Sequence, residues 1–220
     1  MKLDPKNLET KSFFETPLWI FETDVKEINK CVDPYIAKAK KNSKQRKIPK
    51  YVQGQFNNFQ KEMFYDTPSL LNNDKFRLFN MDILRLTYDI LDECGYDLKN
   101  YNIALNEIWA REFVPNKAAS VFPHCHKDSH LTGVIILKSS KDTSKPFFYD
   151  PRQGKYMKDL PEKEKGKFSL ACDKFSVDVK PGMCLIFPSF LSQSFGYSFS
   201  KSSFRYLHFV SSAVIKNSNE

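Results

Sequence analysis

The densest group of metal-binding side chains in this sequence is the segment HCHKDSH, residues 124–130. It contains three of the four histidines of the chain, His124, His126 and His130, together with Asp128. In an extended segment alternate side chains project to the same face, so His124, His126 and Asp128 should lie on one side of a strand. Neutral imidazole and carboxylate groups both bind divalent transition metals. We therefore predict a metal site at this segment.

Two overlapping ligand pairs are available in the segment. His126 and Asp128 form an H-x-D element, which supplies two ligands of the 2-His-1-carboxylate triad of non-haem iron(II) sites. His124 and His126 would supply two imidazoles instead. Three ligands on one face of an octahedron leave positions for a bidentate cosubstrate and dioxygen. The competing interpretation is a polar surface loop with unrelated histidines.

The N-terminal part of the chain is predicted to be mainly helical. The apolar segment ETPLWIFE, residues 15–22, predicts a first strand, and a helix begins at Asp24 with capping-box spacing. Pro34 should kink or break this helix, and a basic linker should follow. From Ser69 to Cys94 apolar residues recur every three or four positions, which predicts a long amphipathic helix capped by Gly95 and packed on the sheet.

After residue 100 the sequence changes to short runs of β-branched and aromatic residues separated by turn signals such as Pro181-Gly182. This pattern predicts an α+β protein in which residues 1–100 form a helical portion with the first strand and residues 101–215 form a β core, within a single domain spanning 1–220. The predicted strands are Asn102–Trp109, Leu131–Lys138, Pro146–Tyr149, Phe168–Ala171, Phe175–Val179, Met183–Phe187 and Phe204–Val210.

Composition limits the class of protein. The five cysteines are widely spaced and form no C-x-x-C pair, which favours a reducing compartment, and no apolar run reaches membrane-spanning length. We therefore expect a cytoplasmic protein with no membrane contact. The net charge of +8 is concentrated in part between Lys38 and Lys50, before Tyr51. Such a run could contact nucleic acid, but a solvated helix end is favoured because no recognised nucleic-acid motif accompanies it.

Four landmarks follow one another along the chain: HCHKDSHLTGVIIL, FFYDPR, PGMCLIFPSFLSQSF and FRYLHFV. In this order they resemble the 2-oxoglutarate and iron(II)-dependent oxygenases, which carry H-x-H-P-N-S before a strand, then F-x-D-P-R, a PG turn, FPSWLxH and a strand that begins with arginine. The resemblance covers roughly residues 102–211, and TPLWIF is similar to the N-terminal strand of the family.

The resemblance implies a double-stranded β-helix, a jelly roll or cupin-like barrel on which the helical portion packs. It also implies iron(II) between the two sheets and 2-oxoglutarate as the cosubstrate. The arginine that binds the distal carboxylate of 2-oxoglutarate corresponds to Arg205, and guanidinium suits this role because it binds carboxylate bidentately. Asp150 and Arg152 of FFYDPR would order the barrel rim or contact substrate, with an ordinary turn ion pair as the alternative.

The sequence departs from the family at Gln193, which stands where the distal histidine is expected. An amide oxygen is a weaker ligand than imidazole, so a site of His126, Asp128 and Gln193 should bind iron less tightly, unless His124 completes the set. His208 is expected to face the opposite side of the strand from Arg205. The leading hypothesis is therefore a hydroxylase-type oxygenase with a variant metal site and an unspecified substrate. The alternative is an inactive relative that acts as a binding or regulatory module.

Overall fold

In the computed structural model, which describes residues 14–45, 63–152 and 160–216, two antiparallel sheets pack against each other. The larger sheet has the strand order β1-β8-β5-β10-β3-β2, and the smaller sheet has the order β4-β9-β6-β7. The strands are β1 (Trp19–Glu22), β2 (Phe64–Asp66), β3 (Tyr101–Phe113), β4 (Ala119–His124), β5 (Leu131–Lys138), β6 (Pro146–Tyr149), β7 (Lys174–Ser176), β8 (Met183–Pro188), β9 (Gln193–Ser198) and β10 (Arg205–Ile215).

Helix α1 spans Lys26–Gln45 and continues through Pro34, so the helix does not break at this proline. Ile28, Val32 and Ile36 are spaced four residues apart, and all three are buried against the larger sheet. This apolar stripe crosses Pro34, so packing on both sides of the proline offsets the hydrogen bond that the proline cannot donate. The predicted basic linker is helical as far as Gln45, and its remainder lies outside the described residues.

Helix α2 spans Arg77–Glu93 and is preceded by a 3₁₀ turn at Asp74–Phe76, so it begins later than the predicted start at Ser69. The prediction at its other end is confirmed. Gly95 has a φ of +89°, and its backbone N–H donates to the Asp92 carbonyl. The left-handed conformation favours glycine and ends the helix.

The predicted α+β architecture is confirmed, and most strands lie where the alternation places them. β5 and β6 have the predicted bounds, whereas β7 is shorter than predicted and β3 and β10 are longer. No strand forms at Phe168–Ala171, because a turn bonds Cys172 N–H to the Ser169 carbonyl and leaves Phe168 exposed. The sequence did not predict β2, β4 or β9.

The larger sheet separates two hydrophobic cores, and strand β10 contributes to both. Leu207 and Phe209 face α1 and α2, whereas Tyr206 packs between the two sheets. Because side chains alternate along a strand, His208 must project to the same side as Tyr206. The imidazole of His208 therefore lies in the space between the two sheets.

The basic run contributes to the fold at one position. Lys40 forms an ion pair of 2.5 Å with the buried carboxylate of Glu112.

Among the helices of the described residues, none is long and apolar enough to cross a membrane.

Candidate metal centre

Two imidazoles and one carboxylate converge between the sheets. Glu107, His126 and His208 each present one ligand atom, and these three atoms lie within 4.8 Å of one another. His208 Nε2 and Glu107 Oε2 are 3.9 Å apart, and the rings of His126 and His208 have their centroids 4.7 Å apart. This donor set has the 2-His-1-carboxylate composition that holds iron(II) with open coordination positions.

Pairing of the strands explains why the three groups meet. β3 and β10 are antiparallel neighbours in which His208 lies opposite Trp109 and Val210 opposite Glu107. Side chains of Glu107 and His208 therefore project from adjacent strands to the same face. His126 follows the end of β4, and its backbone N–H donates to the Ser189 carbonyl at 3.0 Å. This bond fixes the loop above the β3–β10 pair.

Both histidines of the cluster favour the neutral form. Burial lowers the pKa of His208 well below its usual value, and the nearby positive charge of His126, His124 or Arg111 would lower it further. Burial is also the main cause of the lowered pKa of His126, followed by the charge of His124. A neutral imidazole keeps a lone pair for a metal, so protons do not compete with the ion near neutral pH.

The buried polar atoms of the cluster fit a bound cation. Among the described residues, His208 Nε2 and Gln193 Oε1 are buried and have no hydrogen-bond partner. Leaving such groups unpaired costs about 1–3 kcal/mol each, and a metal ion in the cluster would satisfy His208 Nε2. Glu107 supplies negative charge that offsets the charge of a divalent ion. The cluster therefore fits a divalent metal ion.

Trp109 forms one wall of the centre. Its ring centroid is 4.6 Å from that of His208, and its indole Nε1–H donates to Glu107 Oε2 at 3.2 Å. This bond orients the carboxylate toward the two histidines, which is the usual role of a hydrogen bond to a ligating group.

Two predicted ligands of the HCHKDSH segment, His124 and Asp128, lie outside the cluster. The strand ends at His124, and Asp128 lies in an exposed turn with a φ of +57°, so the assumed extended conformation does not reach Asp128. His124 is next to the cluster, with its ring centroid 5.2 Å from that of His126. Its Nδ1, however, is 2.8 Å from the Phe122 carbonyl oxygen. Of the four predicted ligands, the structure thus brings together His126 and Gln193.

Arg205 lies on the other side of the larger sheet, against α1. Arg205 and His208 project to opposite sides of β10, as the alternation predicts. His208, and not Arg205, projects into the space between the two sheets. The guanidinium binds Glu112 at 2.6 Å and Asp33 at 2.5 Å, and only 2% of Arg205 is exposed. These contacts occupy the guanidinium, so Arg205 is not available to a ligand between the sheets. The register shift between Arg205 and Tyr206 in the pairing with β5 occurs at this point.

A different arginine faces the space between the sheets. Arg111 lies two positions from Trp109 on β3, and its guanidinium carbon is 5.1 Å from the Trp109 ring. Nε and Nη2 each donate to the Asp66 carboxylate at 2.7 Å. Burial alone would lower the pKa of Arg111, but Asp66 and Tyr206 raise it above its usual value. The side chain is therefore a permanent cation next to the wall of the centre.

Asp150 and Arg152 form a local ion pair after β6. Arg152 Nη2 is 2.6 Å from Asp150 Oδ2, and Arg152 Nε donates to Asp150 Oδ1 at 2.9 Å. Phe148 lies opposite Gln193 in the β6–β9 pairing, so the pair follows β6 at the end of the smaller sheet where the metal centre lies.

The sequence did not reveal Glu107 or the inner position of His208. Glu107, Trp109 and Arg111 alternate along β3, and this pattern was the one signal that could have placed a carboxylate on the inner face. The sequence contains His208 as its fourth histidine. Which side of β10 faces the space between the sheets, however, depends on contacts with α1, which is far away in sequence.

Part of the chain matches a known family model. Residues 107–203 match the family model described as "Putative 2OG-Fe(II) oxygenase". No match was found among curated protein sequences. Among solved structures, the chain resembles the non-heme alpha ketoglutarate dependent epimerase SnoN from nogalamycin biosynthesis, with 14% identity, a TM-score of 0.54 and coverage of 92% of this chain and 80% of that one.

Two prolyl hydroxylase structures are also similar. A Pseudomonas putida prolyl-4-hydroxylase has 9% identity, a TM-score of 0.52 and coverage of 91% of this chain and 93% of that one. The viral collagen prolyl hydroxylase of Paramecium Bursaria Chlorella virus-1 has 9% identity, a TM-score of 0.51 and coverage of 90% and 96%. At these identities the likeness establishes a shared fold.

Proposed function

We propose that this protein is an iron(II)- and 2-oxoglutarate-dependent oxygenase with a variant metal site. The reason is that residues 107–203 match the family model for 2OG-Fe(II) oxygenases. The site lies between the two sheets of a double-stranded β-helix in a single domain whose catalytic core is residues 101–215. Strands β1 and β2, from the N-terminal part, pair within the larger sheet and support one domain. The observation that carries the proposal is the convergence of Glu107, His126 and His208 within 4.8 Å.

Glu107, His126 and His208 would hold the iron in this proposal. Iron(II) bound by such a triad can activate dioxygen with electrons from 2-oxoglutarate, which is decarboxylated to succinate, and oxidise a C–H bond of a substrate. Neutral imidazoles allow metal loading without loss of a proton from either histidine. The carboxylate of Glu107 is held by the Trp109 indole N–H and offsets part of the positive charge of the ion.

The centre is buried on the side of His208. His208 is 2% exposed and the ring of Trp109 lies against it, whereas 53% of the Glu107 side chain is exposed. The shielded side would limit side reactions of a strong oxidant, and the side of Glu107 is open to solvent.

Arg111 is the proposed anchor of the distal carboxylate of 2-oxoglutarate. Its side chain faces the space between the sheets, whereas Arg205 is held on the opposite side by Glu112 and Asp33. A guanidinium has five N–H donors, and two of those of Arg111 are on Asp66, so others remain for a second carboxylate. Asp66 would share the guanidinium with the cosubstrate or be displaced by it.

Asp150 and Arg152 are proposed as rim residues near the substrate. They directly follow β6, the strand that pairs with β9 at Gln193, and this position supports the role.

A second candidate function is a non-catalytic relative that binds a ligand without turnover. The observation that favours it is the loss of the family's ligand pattern: Asp128 is exposed outside the cluster, and glutamine stands at position 193. If Gln193→His generated succinate-producing turnover that the natural protein lacks, this second function would be favoured over the first.

Anaerobic titration with iron(II) and then 2-oxoglutarate tests the leading proposal. A weak visible charge-transfer band should appear only when both are present, and admission of dioxygen should then produce succinate. The Asp128→Asn variant is the matched control and should give the same band, because Asp128 lies in an exposed turn. Failure of either ligand to bind at millimolar concentration would remove the oxygenase function.

A further inference from the structure

The Gln193 side chain lies against the metal centre without complete hydrogen bonding. Its terminal nitrogen is 3.3 Å from His126 Nε2, and its oxygen is buried with no partner among the described residues. Gln193 is 2% exposed, so water cannot readily complete its bonding. A buried amide oxygen that lacks a donor is the kind of group that a cation satisfies.

The 3.3 Å contact is a long hydrogen bond that also matches the separation of two ligands of one ion. It is longer than the usual N–H···N or N–H···O distance of about 2.9–3.0 Å. Ligand atoms about 2.1 Å from one ion lie roughly 3.0–3.4 Å apart at octahedral or tetrahedral angles. A rotation of the glutamine amide exchanges the positions of its nitrogen and oxygen, and it would place the oxygen next to His126 Nε2 and the nitrogen where the unpartnered oxygen now lies.

Gln193 is held in this position by the smaller sheet. On β9 it lies opposite His124 of β4 and Phe148 of β6, so the backbone is fixed from both sides. Glu107 and His208 approach from the larger sheet, and Gln193 therefore closes the centre from the opposite side.

We propose that the Gln193 amide oxygen is a fourth, displaceable ligand of the metal ion, added to Glu107, His126 and His208. This inference rests on the proposed metal centre and deepens it. An octahedral ion with four protein ligands has two open positions rather than three. A bidentate 2-oxo acid would fill both, so a position for dioxygen would require Gln193 to leave. The neutral amide is the weakest ligand of the four and the one that can leave most readily.

Counting the water molecules on a bound manganese(II) ion tests the inference directly. The metal-free full chain is loaded with Mn(II), and coordinated water is counted by pulsed EPR in ¹⁷O-labelled water. We expect two waters in the natural protein, three in Gln193→Ala and two in Gln193→Glu, because glutamate restores an oxygen ligand. Addition of 2-oxoglutarate should leave no water in the natural protein and one in Gln193→Ala.

The outcomes separate this inference from the proposed function. Three waters on Mn(II) in both the natural protein and Gln193→Ala would overturn the assignment of Gln193 while leaving the metal centre in place. Absence of Mn(II) binding in the folded natural protein would overturn the metal centre and this inference together. If Gln193→Ala does not fold, the water counts of the natural protein and of Gln193→Glu decide the question. Asp128→Asn is the control and should keep two waters.

Discussion

Replacing Arg205 by methionine should destabilise the protein strongly without weakening 2-oxoglutarate binding. Arg205 Nη2 is 2.6 Å from Glu112 Oε2, and Arg205 Nη1 is 2.5 Å from Asp33 Oδ1. Methionine fills a similar volume but leaves the Glu112 carboxylate, which is fully buried, with Lys40 as its remaining ion-pair partner. Removing one member of a buried ion pair costs about 3–5 kcal/mol. At about 2–4 °C per kcal/mol for a chain of this size, the melting temperature should fall by roughly 10 °C.

Urea and thermal denaturation measure the stability change, and anaerobic 2-oxoglutarate titration at a temperature where both proteins are folded measures binding. Lys138→Met is the matched control. Its partner Asp33 is 3.7 Å away and both side chains are exposed, so the loss should be under about 1 kcal/mol. Adding Glu112→Gln to Arg205→Met should restore part of the stability, because it removes a buried charge that has lost its arginine partner. Unchanged stability combined with lost 2-oxoglutarate binding in Arg205→Met would refute the reasoning.

Three further predictions concern other parts of the molecule. Gly133→Ala should cost about 1–3 kcal/mol by urea denaturation, because a Cβ there would lie 1.9 Å from the buried Phe209 ring; an unchanged midpoint would contradict this packing. Arg111→Met should weaken 2-oxoglutarate binding at least about tenfold in the anaerobic titration through loss of a charged hydrogen bond, and equal affinity would exclude Arg111 as the anchor. The metal-free protein should lose stability as the pH falls from about 7.5 to 5.5, because the unfolded chain takes up a proton at His208 near its ordinary pKa of 6.5 whereas burial keeps the folded His208 neutral. His208→Asn should reduce this slope, and the same slope in both proteins would show that His208 is not its source.

Local patterns predicted the elements well, because they depend on neighbours in the sequence. Leu131–Lys138 and Pro146–Tyr149 form strands with the predicted bounds, and the amphipathic stripe before Gly95 forms a helix that packs on the sheet. Pro34 was misjudged because the residues that hold α1 together contact a sheet formed much later in the chain.

The sequence anticipated only part of the candidate cluster, for a related reason. Crowding of histidines identified His126, and the family landmarks identified Gln193, but alternation along β10 fixes only that Arg205 and His208 face opposite sides. The side that is interior depends on tertiary contacts. Carboxylates Asp33 and Glu112 hold Arg205 on the outer face, so His208 projects inward to meet Glu107.

Metal affinity in two single variants tests the central claim most directly. The claim is that the metal is held by Glu107, His126 and His208, not by the H-x-D pair. Binding of Co(II) to the metal-free protein should be lost or weakened at least about a hundredfold in His208→Ala, because one of three strong ligands is removed. It should be unchanged in Asp128→Ala. Loss of binding in Asp128→Ala together with normal binding in His208→Ala would contradict the account.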